Sequence, residues 1–198
     1  METLDEYLLR LASRDAVPGG GSAAALVGAL GAALVAMVGR ILAEPVEGLV
    51  AQADRLRDEL SAARLRDETA FRAVVAAQAL PKADDAERAA RRSAIEAALQ
   101  GAAHAPLQAS ALTLEVLKLA LQLAEARTGA LASDVGCAAE FAYAALTACA
   151  YNVRINHRYM RDAAVIAAQA ATLNSYQGDA ALILERARDA VARALAKP

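Results

Sequence analysis

The sequence contains no tryptophan, two cysteines and two histidines, and aromatic residues make up only 4% of its 198 positions. Each scarcity closes a route. Cys137 and Cys149 fall twelve residues apart in one predicted helix, about 18 Å along its axis, too far to pair. Neither His104 nor His157 belongs to a Cys/His cluster with metal-ligand spacing, so no metal is expected. Twenty-one Lys and Arg against 23 Asp and Glu give a net charge of −2, which leaves no basic footprint for nucleic acid. No Gly-x-Ser-x-Gly nucleophile elbow is present. Free thiols without a secretory signal pattern point to the cytoplasm.

What is abundant is alanine, leucine and valine, within a hydrophobic content of 57%. Alanine is the strongest helix former, and small side chains let helices approach closely. The chain therefore reads as all-α: one domain over residues 1–198, an elongated bundle of six to seven helices with two central apolar ones. The first helix spans Glu2 to Ser13, with Leu4, Leu8 and Leu11 as its stripe. The second runs from Ser22 to Leu42 and is closed by Glu44-Pro45. The third covers Val46 to Leu80, and Pro81 stops it. A fourth, capped by Asp84 or Asp85, extends to Thr128, with Pro106 kinking it or dividing it in two. Gly129 closes that segment, and Ser133-Asp134 opens a fifth helix to Ile155. Two shorter helices, His157–Ser175 and Asp179–Ala196, flank a turn at Gln177-Gly178-Asp179. Helices of about 35 residues are about 50 Å long, hence the elongated shape.

No charge occurs between Ala16 and Gly39. The run is mostly alanine and glycine, weak as hydrocarbon, so a helix enclosed in a bundle is expected rather than a bilayer span. Two nearly all-apolar helices, the second and the fifth, suggest that one face is closed by a second copy.

The chain is organised around Val17-Pro18-Gly19-Gly20-Gly21-Ser22. Proline biases Val17 towards extended geometry, and the glycines permit positive φ or close approach to the backbone. Ser22 is placed to cap the following helix, whose N-terminal N–H groups favour an anion or a carbonyl oxygen. The stretch reads as a ligand-approach loop or as a tight helix–helix connection. It is not a P-loop, because no lysine follows the glycines.

Other candidates remain open on spacing alone. Asp134 follows Ser133 at a helix start and reads as a first-turn acid or a catalytic group. Asp67, beside Arg64 and Arg66, reads as a solvated charge or as an acid/base. Asn152 and Asn156 share a helix face and suit either a heterocycle rich in amide groups or a neighbouring helix end. Asn152 returns to the angular position of Asp134 about 27 Å further along, so the two cannot hold one small atom within a chain. Lys82, Arg154 and Arg40 each suit a ligand carboxylate or a helix C-terminus.

Pro18-Gly19-Gly20-Gly21-Ser22-Ala23-Ala24-Ala25, continued through Gly28 to Val38, resembles the signature of the cyclodeaminase/cyclohydrolase family, and further matches follow in order. They are Asp67 with Ala70-Phe71, Leu80-Pro81-Lys82, Ala94-Ile95-Glu96-Ala97-Ala98 with Pro106, Ser133-Asp134-Val135-Gly136, and Asn152-Val153-Arg154-Ile155-Asn156. The resemblance covers nearly the whole chain. It implies a helical homodimer that binds a tetrahydrofolate derivative near the subunit interface. The implied reaction hydrolyses 5,10-methenyltetrahydrofolate to 10-formyltetrahydrofolate, or cyclises 5-formiminotetrahydrofolate with release of ammonia. No metal or cofactor beyond the folate substrate is implied.

On this basis Asp134 and Asp67 are the acid/base candidates. Gly19, Gly20, Gly21 and Ser22 would meet the pterin or the reacting bridge through backbone N–H groups, and Pro18 and Ser133 would belong to the substrate-binding set. Lys82 or Arg154 would meet the glutamate tail, and Asn152 and Asn156 would support the pocket. One stretch departs from the family pattern. Arg40 to Gly48 stands where family members carry Asn-Leu-Thr and a lysine-rich segment ending in tyrosine. That departure supports the alternative of a folate-binding or assembly protein that kept the fold without catalysis.

Overall fold

The computed structural model describes residues 2–43, 46–126 and 128–196. Six α-helices and one short 3-10 turn account for these segments, and no strand occurs among the described residues. Helix α1 (Leu4–Leu11) starts at Thr3, whose hydroxyl accepts from the Glu6 N–H while the Glu6 carboxylate accepts from the Thr3 N–H. This capping box stabilises a two-turn helix that could not stand alone. The expected leucine stripe is not its inner face: Leu4 and Leu8 are exposed, and Tyr7 is the buried anchor. The tyrosine prevails because its ring lies beneath Arg64 and its hydroxyl reaches Ser22.

Helix α2 (Gly20–Ile41) begins two residues before its expected start. The expected terminator Glu44-Pro45 lies outside the described residues. Helix α3 (Leu49–Gln78) carries an unbroken inner stripe of Leu49, Ala53, Leu56, Leu60 and Ala63, continuing at Val74 and Ala77. Spacings of three and four keep those positions on one side of the helix. Helix α4 (Asp85–Glu125) is capped by the Asp84 carboxylate and runs without division through Pro106. At 41 residues it is about 62 Å long, and its length sets the elongated shape. A 3-10 turn at Gly129–Leu131 leads into α5 (Ala132–His157).

Helix α6 (Ala163–Leu195) is a single helix, contrary to the expected pair. The buried residues Leu173, Ala180, Leu184 and Ala187 carry one inner face across the Gln177-Gly178-Asp179 signal, so packing overrides the local turn preference. The actual break lies between α5 and α6. There the Glu96 carboxylate accepts hydrogen bonds from the Arg161 and Asp162 N–H groups.

Helix α4 packs on α2, α3, α5 and α6, and with α2 and α5 it forms the centre of the bundle. Helix α2 packs on α3, α4 and α5, and α5 packs on α2, α4 and α6. Close approach is built in by glycine: Gly31 of α2 faces the Ala138 carbonyl of α5, and Gly28 faces Thr113 of α4 and Leu60 of α3. Helices α2 and α4 are long and apolar enough to cross a membrane, but 61% and 67% of their apolar windows lie inside the bundle. The main core unites α2 to α6, and a smaller cluster around Val74, Leu99, Ala103 and Met160 sits at the other end.

Candidate active site

Between these two cores the helices enclose a cavity of about 460 Å³, within the size range of ligand pockets. The loop before α2 and the first turn of α2 form one wall. Gly19, Gly20 and Gly21 line it, joined by Asp67 and Phe71 of α3 and by Asn152, Asn156 and Tyr159 near the end of α5. Aliphatic walls come from Val74, Ile95 and Leu99.

The glycines serve proximity rather than unusual dihedrals. Positive φ occurs, among the described residues, only at Gly48 and Gly129, and the N-cap Gly19 is extended. A Cβ on Gly21 would run into the Asp67 carboxylate, within 2.6 Å of its Cγ. A Cβ on Gly20 would come within 3.4 Å of Asn152 Nδ2.

Ser22 is not the expected N-cap. It lies in the first turn of α2, fully buried, and no side chain of the preceding loop caps the helix. The Asp67 carboxylate of α3 lies against this turn instead, close enough to the Ser22 backbone N–H for that group to favour its charged form. The Ser22 hydroxyl donates to Glu68 Oε1 at 3.3 Å and therefore accepts from the Tyr7 hydroxyl at 3.1 Å, since it has a single proton to give.

Adjacent residues of α3 thus carry carboxylates in opposite settings. Glu68 is 2% exposed and held by Arg10 at 2.7 Å and Arg72 at 3.1 Å. A buried charge of this kind is tolerated only when paired and hydrogen-bonded. Among the described residues Asp67 has no cationic partner. Burial pushes its carboxyl above the ordinary value, the Ser22 N–H works against that rise, and the Glu68 charge adds to it. Behind it, Cys149 of α5 is enclosed, and burial pushes its thiol up to about 12, with the Asp67 charge contributing.

The two asparagines line the cavity with their amide nitrogens bonded to backbone carbonyls. Asn152 Nδ2 donates to the Ala148 carbonyl at 2.9 Å. Asn156 Nδ2 donates to the carbonyls of Ala102, 3.0 Å away on α4, and Asn152, 2.8 Å away. With the amide nitrogens engaged, the Oδ1 atoms remain as acceptors.

Of the residues singled out in the sequence, the cavity gathers Gly19, Gly20, Gly21, Asp67, Asn152 and Asn156, and not Pro18, Ser22, Lys82, Ser133, Asp134 or Arg154. Pro18 is buried behind the loop, following a cis Val17–Pro18 bond. Lys82 is exposed in the loop after Gln78, itself a lining residue. Arg154 donates to Gln177 of α6 at 2.7 Å. Ser133 and Asp134 sit in the first turn of α5, at the opposite end from the asparagines. Sequence reasoning missed Tyr7 and Glu68. Among the described residues no group of three His, Cys, Asp or Glu side chains is placed to hold a metal ion.

Comparison with known proteins gives this geometry a context. The formiminotransferase-cyclodeaminase family matches residues 3–175. The methenyltetrahydrofolate cyclohydrolase of Methylorubrum extorquens is 35% identical over 96% of both chains. The formimidoyltransferase-cyclodeaminase of Sus scrofa is 34% identical over 92% of this chain, which spans 36% of that longer protein. In fold, formiminotetrahydrofolate cyclodeaminase from Thermotoga maritima matches with a TM-score of 0.84 over 98% of both chains, at 24% identity. By sequence and by architecture the chain belongs to the formiminotransferase-cyclodeaminase family.

Proposed function

We propose that this protein is a folate one-carbon enzyme that hydrolyses 5,10-methenyltetrahydrofolate to 10-formyltetrahydrofolate. The observation that carries the reading is Asp67, the one carboxylate among the described residues that line the cavity, without a cationic partner and against the glycine turn. The end-to-end likeness to a cyclohydrolase favours this reaction over cyclodeamination.

The chemistry needs one proton acceptor beside a bound cationic bridge. Asp67 takes a proton from water as its oxygen bonds to the methenyl carbon, giving a neutral tetrahedral adduct. Loss of the hydroxyl proton and protonation of N5 then break the C–N5 bond, leaving the formyl group on N10 and one net proton released. A carboxylate raised by burial exchanges protons more readily near neutral pH than an ordinary one. Phe71 and Tyr159 offer faces for the pterin or aminobenzoyl rings, and the asparagine oxygens accept pterin N–H groups. Lys82, exposed in the loop after the lining residue Gln78, meets the glutamate tail in this reading. No cofactor beyond the folate is required by this scheme, and the cytoplasm is its setting.

A homodimer belongs to the same reading. Helix α2 leaves Leu30, Met37 and Ile41 exposed, and α5 leaves Phe141, Tyr151 and Ile155 exposed, on helices that pack side by side. Cys137 lies on this outer side of α5, one turn before Phe141. An antiparallel pair of α5 helices centred at the level of residue 143 would set Asp134 of each copy level with Asn152 of the other, because both lie nine residues from it. Asp134 contributes to catalysis by this route.

The test follows the near-ultraviolet absorbance of the methenyl bridge with purified protein. Loss of absorbance above the blank that disappears in Asp67→Asn supports the reading. Ammonia release from the formimino substrate with no methenyl hydrolysis assigns the other activity, and saturable folate binding with neither turnover assigns a binding protein.

A further inference from the structure

Pro106 lies in the interior of α4, buried, and has no N–H to give to the carbonyl four residues back. That carbonyl belongs to Ala102, which lines the cavity. It does not go unpaired: the Asn156 side-chain amide of α5 donates to it at 3.0 Å. The second Asn156 N–H goes to the Asn152 carbonyl at 2.8 Å. Two carbonyl oxygens therefore fix which end of the amide is nitrogen, and the flipped amide would set its oxygen against both. The oxygen is left for the cavity.

We propose that Pro106 is a positioning residue for substrate binding: by withholding a backbone hydrogen bond from Ala102, it frees the carbonyl that holds the Asn156 amide with its oxygen turned to the ligand. The proposal rests on the folate reading for the identity of that ligand, a reduced pterin whose N–H groups need acceptors. Competition for one lone pair is only part of the effect, because a carbonyl oxygen has two. The proline ring also crowds the carbonyl four residues earlier and tilts it away from the helix axis, towards a lateral partner. Alanine at position 106 would supply the missing N–H and draw the Ala102 carbonyl back into line.

The variant Pro106→Ala makes a clean test, since exchanging an interior proline for the best helix former does not endanger folding. Its melting temperature rises. Its KM for 5,10-methenyltetrahydrofolate rises about tenfold while kcat stays within about twofold, the signature of lost binding common to ground and transition states. In an Asn156→Ala background the same exchange leaves KM within about twofold, because the group it acts through is gone. An unchanged KM in Pro106→Ala, or an equal change in both backgrounds, overturns the proposal.

A second readout needs no turnover. The Asn156 side-chain amide resonances, assigned by their loss in Asn156→Ala, exchange with solvent about tenfold faster in Pro106→Ala. Faster exchange in a protein that neither turns over nor binds a folate upholds the positioning role and removes the folate reading. Unaltered exchange removes the positioning role whatever the activity.

Discussion

Gly20 and Gly21 at the start of α2 face polar side chains, Asn152 and Asp67, whereas Gly28, Gly31 and Gly39 further along it face hydrocarbon and backbone. One helix thus uses the same residue type for two purposes. At the cavity end the missing side chain lets functional groups reach the backbone. Along the rest of the helix it lets neighbouring helices close. The motif is therefore two devices in series, and the partner of each glycine tells which device it serves.

The largest effect should come from the group that the first device admits. Asp67→Asn is expected to lower turnover by about 10²- to 10⁴-fold, the range for a lost general base. It should also stabilise the protein at neutral pH. Burial raises the Asp67 pKa in the folded state, so the folded protein holds that proton more tightly than the unfolded chain. The stability this contributes is full below the unfolded carboxylate range and is lost as pH rises through the raised value. Thermal melts should show Asp67→Asn above wild type at neutral pH, with the gap closing as pH falls through the carboxylate range.

Next comes Gly21→Ala, whose methyl group would displace the Asp67 carboxylate. Turnover should fall about 100-fold from misplacement of the base, with a small change in melting temperature. Gly28→Ala should do the reverse. Its Cβ would lie 2.7 Å from the Thr113 methyl in a buried site, and denaturant unfolding should show a loss of about 1–3 kcal/mol with kinetics unchanged. If Gly28→Ala instead slows catalysis at wild-type stability, the division of α2 into two devices fails. The smallest effect is reserved for a glycine with neither purpose. Gly178 lies inside α6, where a Cβ would meet no atom of the described residues beyond its own stretch of helix within 4 Å, so Gly178→Ala should gain about 0.5–1 kcal/mol.

Much of this was legible in the chain. The all-helical class, the two apolar helices and the glycine loop follow from composition and spacing. Asp67 offered a clearer signal than its arginine neighbours suggested. It occupies the position after Ala63 in the inner stripe of α3, where Ala70, Val74 and Ala77 follow at the same spacing. A charge in an apolar stripe is either a fault or a site.

Glu68 gave no such signal, because its burial depends on Arg10, 58 residues away, and on the Ser22 hydroxyl. The role expected of Ser22 failed for a related reason, since its hydroxyl is taken by Tyr7 and Glu68. Spacing paired Asn152 with Asn156 correctly, but only the packed helices show that the Ala102 carbonyl orients the second of them. Long-range partners decide polar positions, and a local pattern carries no trace of them.

The two cysteines, both on α5, differ as chemical reagents. Cys149 is enclosed and its thiol is pushed up to about 12, so almost none of it is thiolate at neutral pH. Cys137 is exposed on the outer side of the helix. The unmodified chain therefore carries a single labelling handle, seated on the surface whose covering is in question. Its rate of alkylation, followed as the protein is diluted, becomes a built-in gauge of self-association that requires no mutation and no added tag.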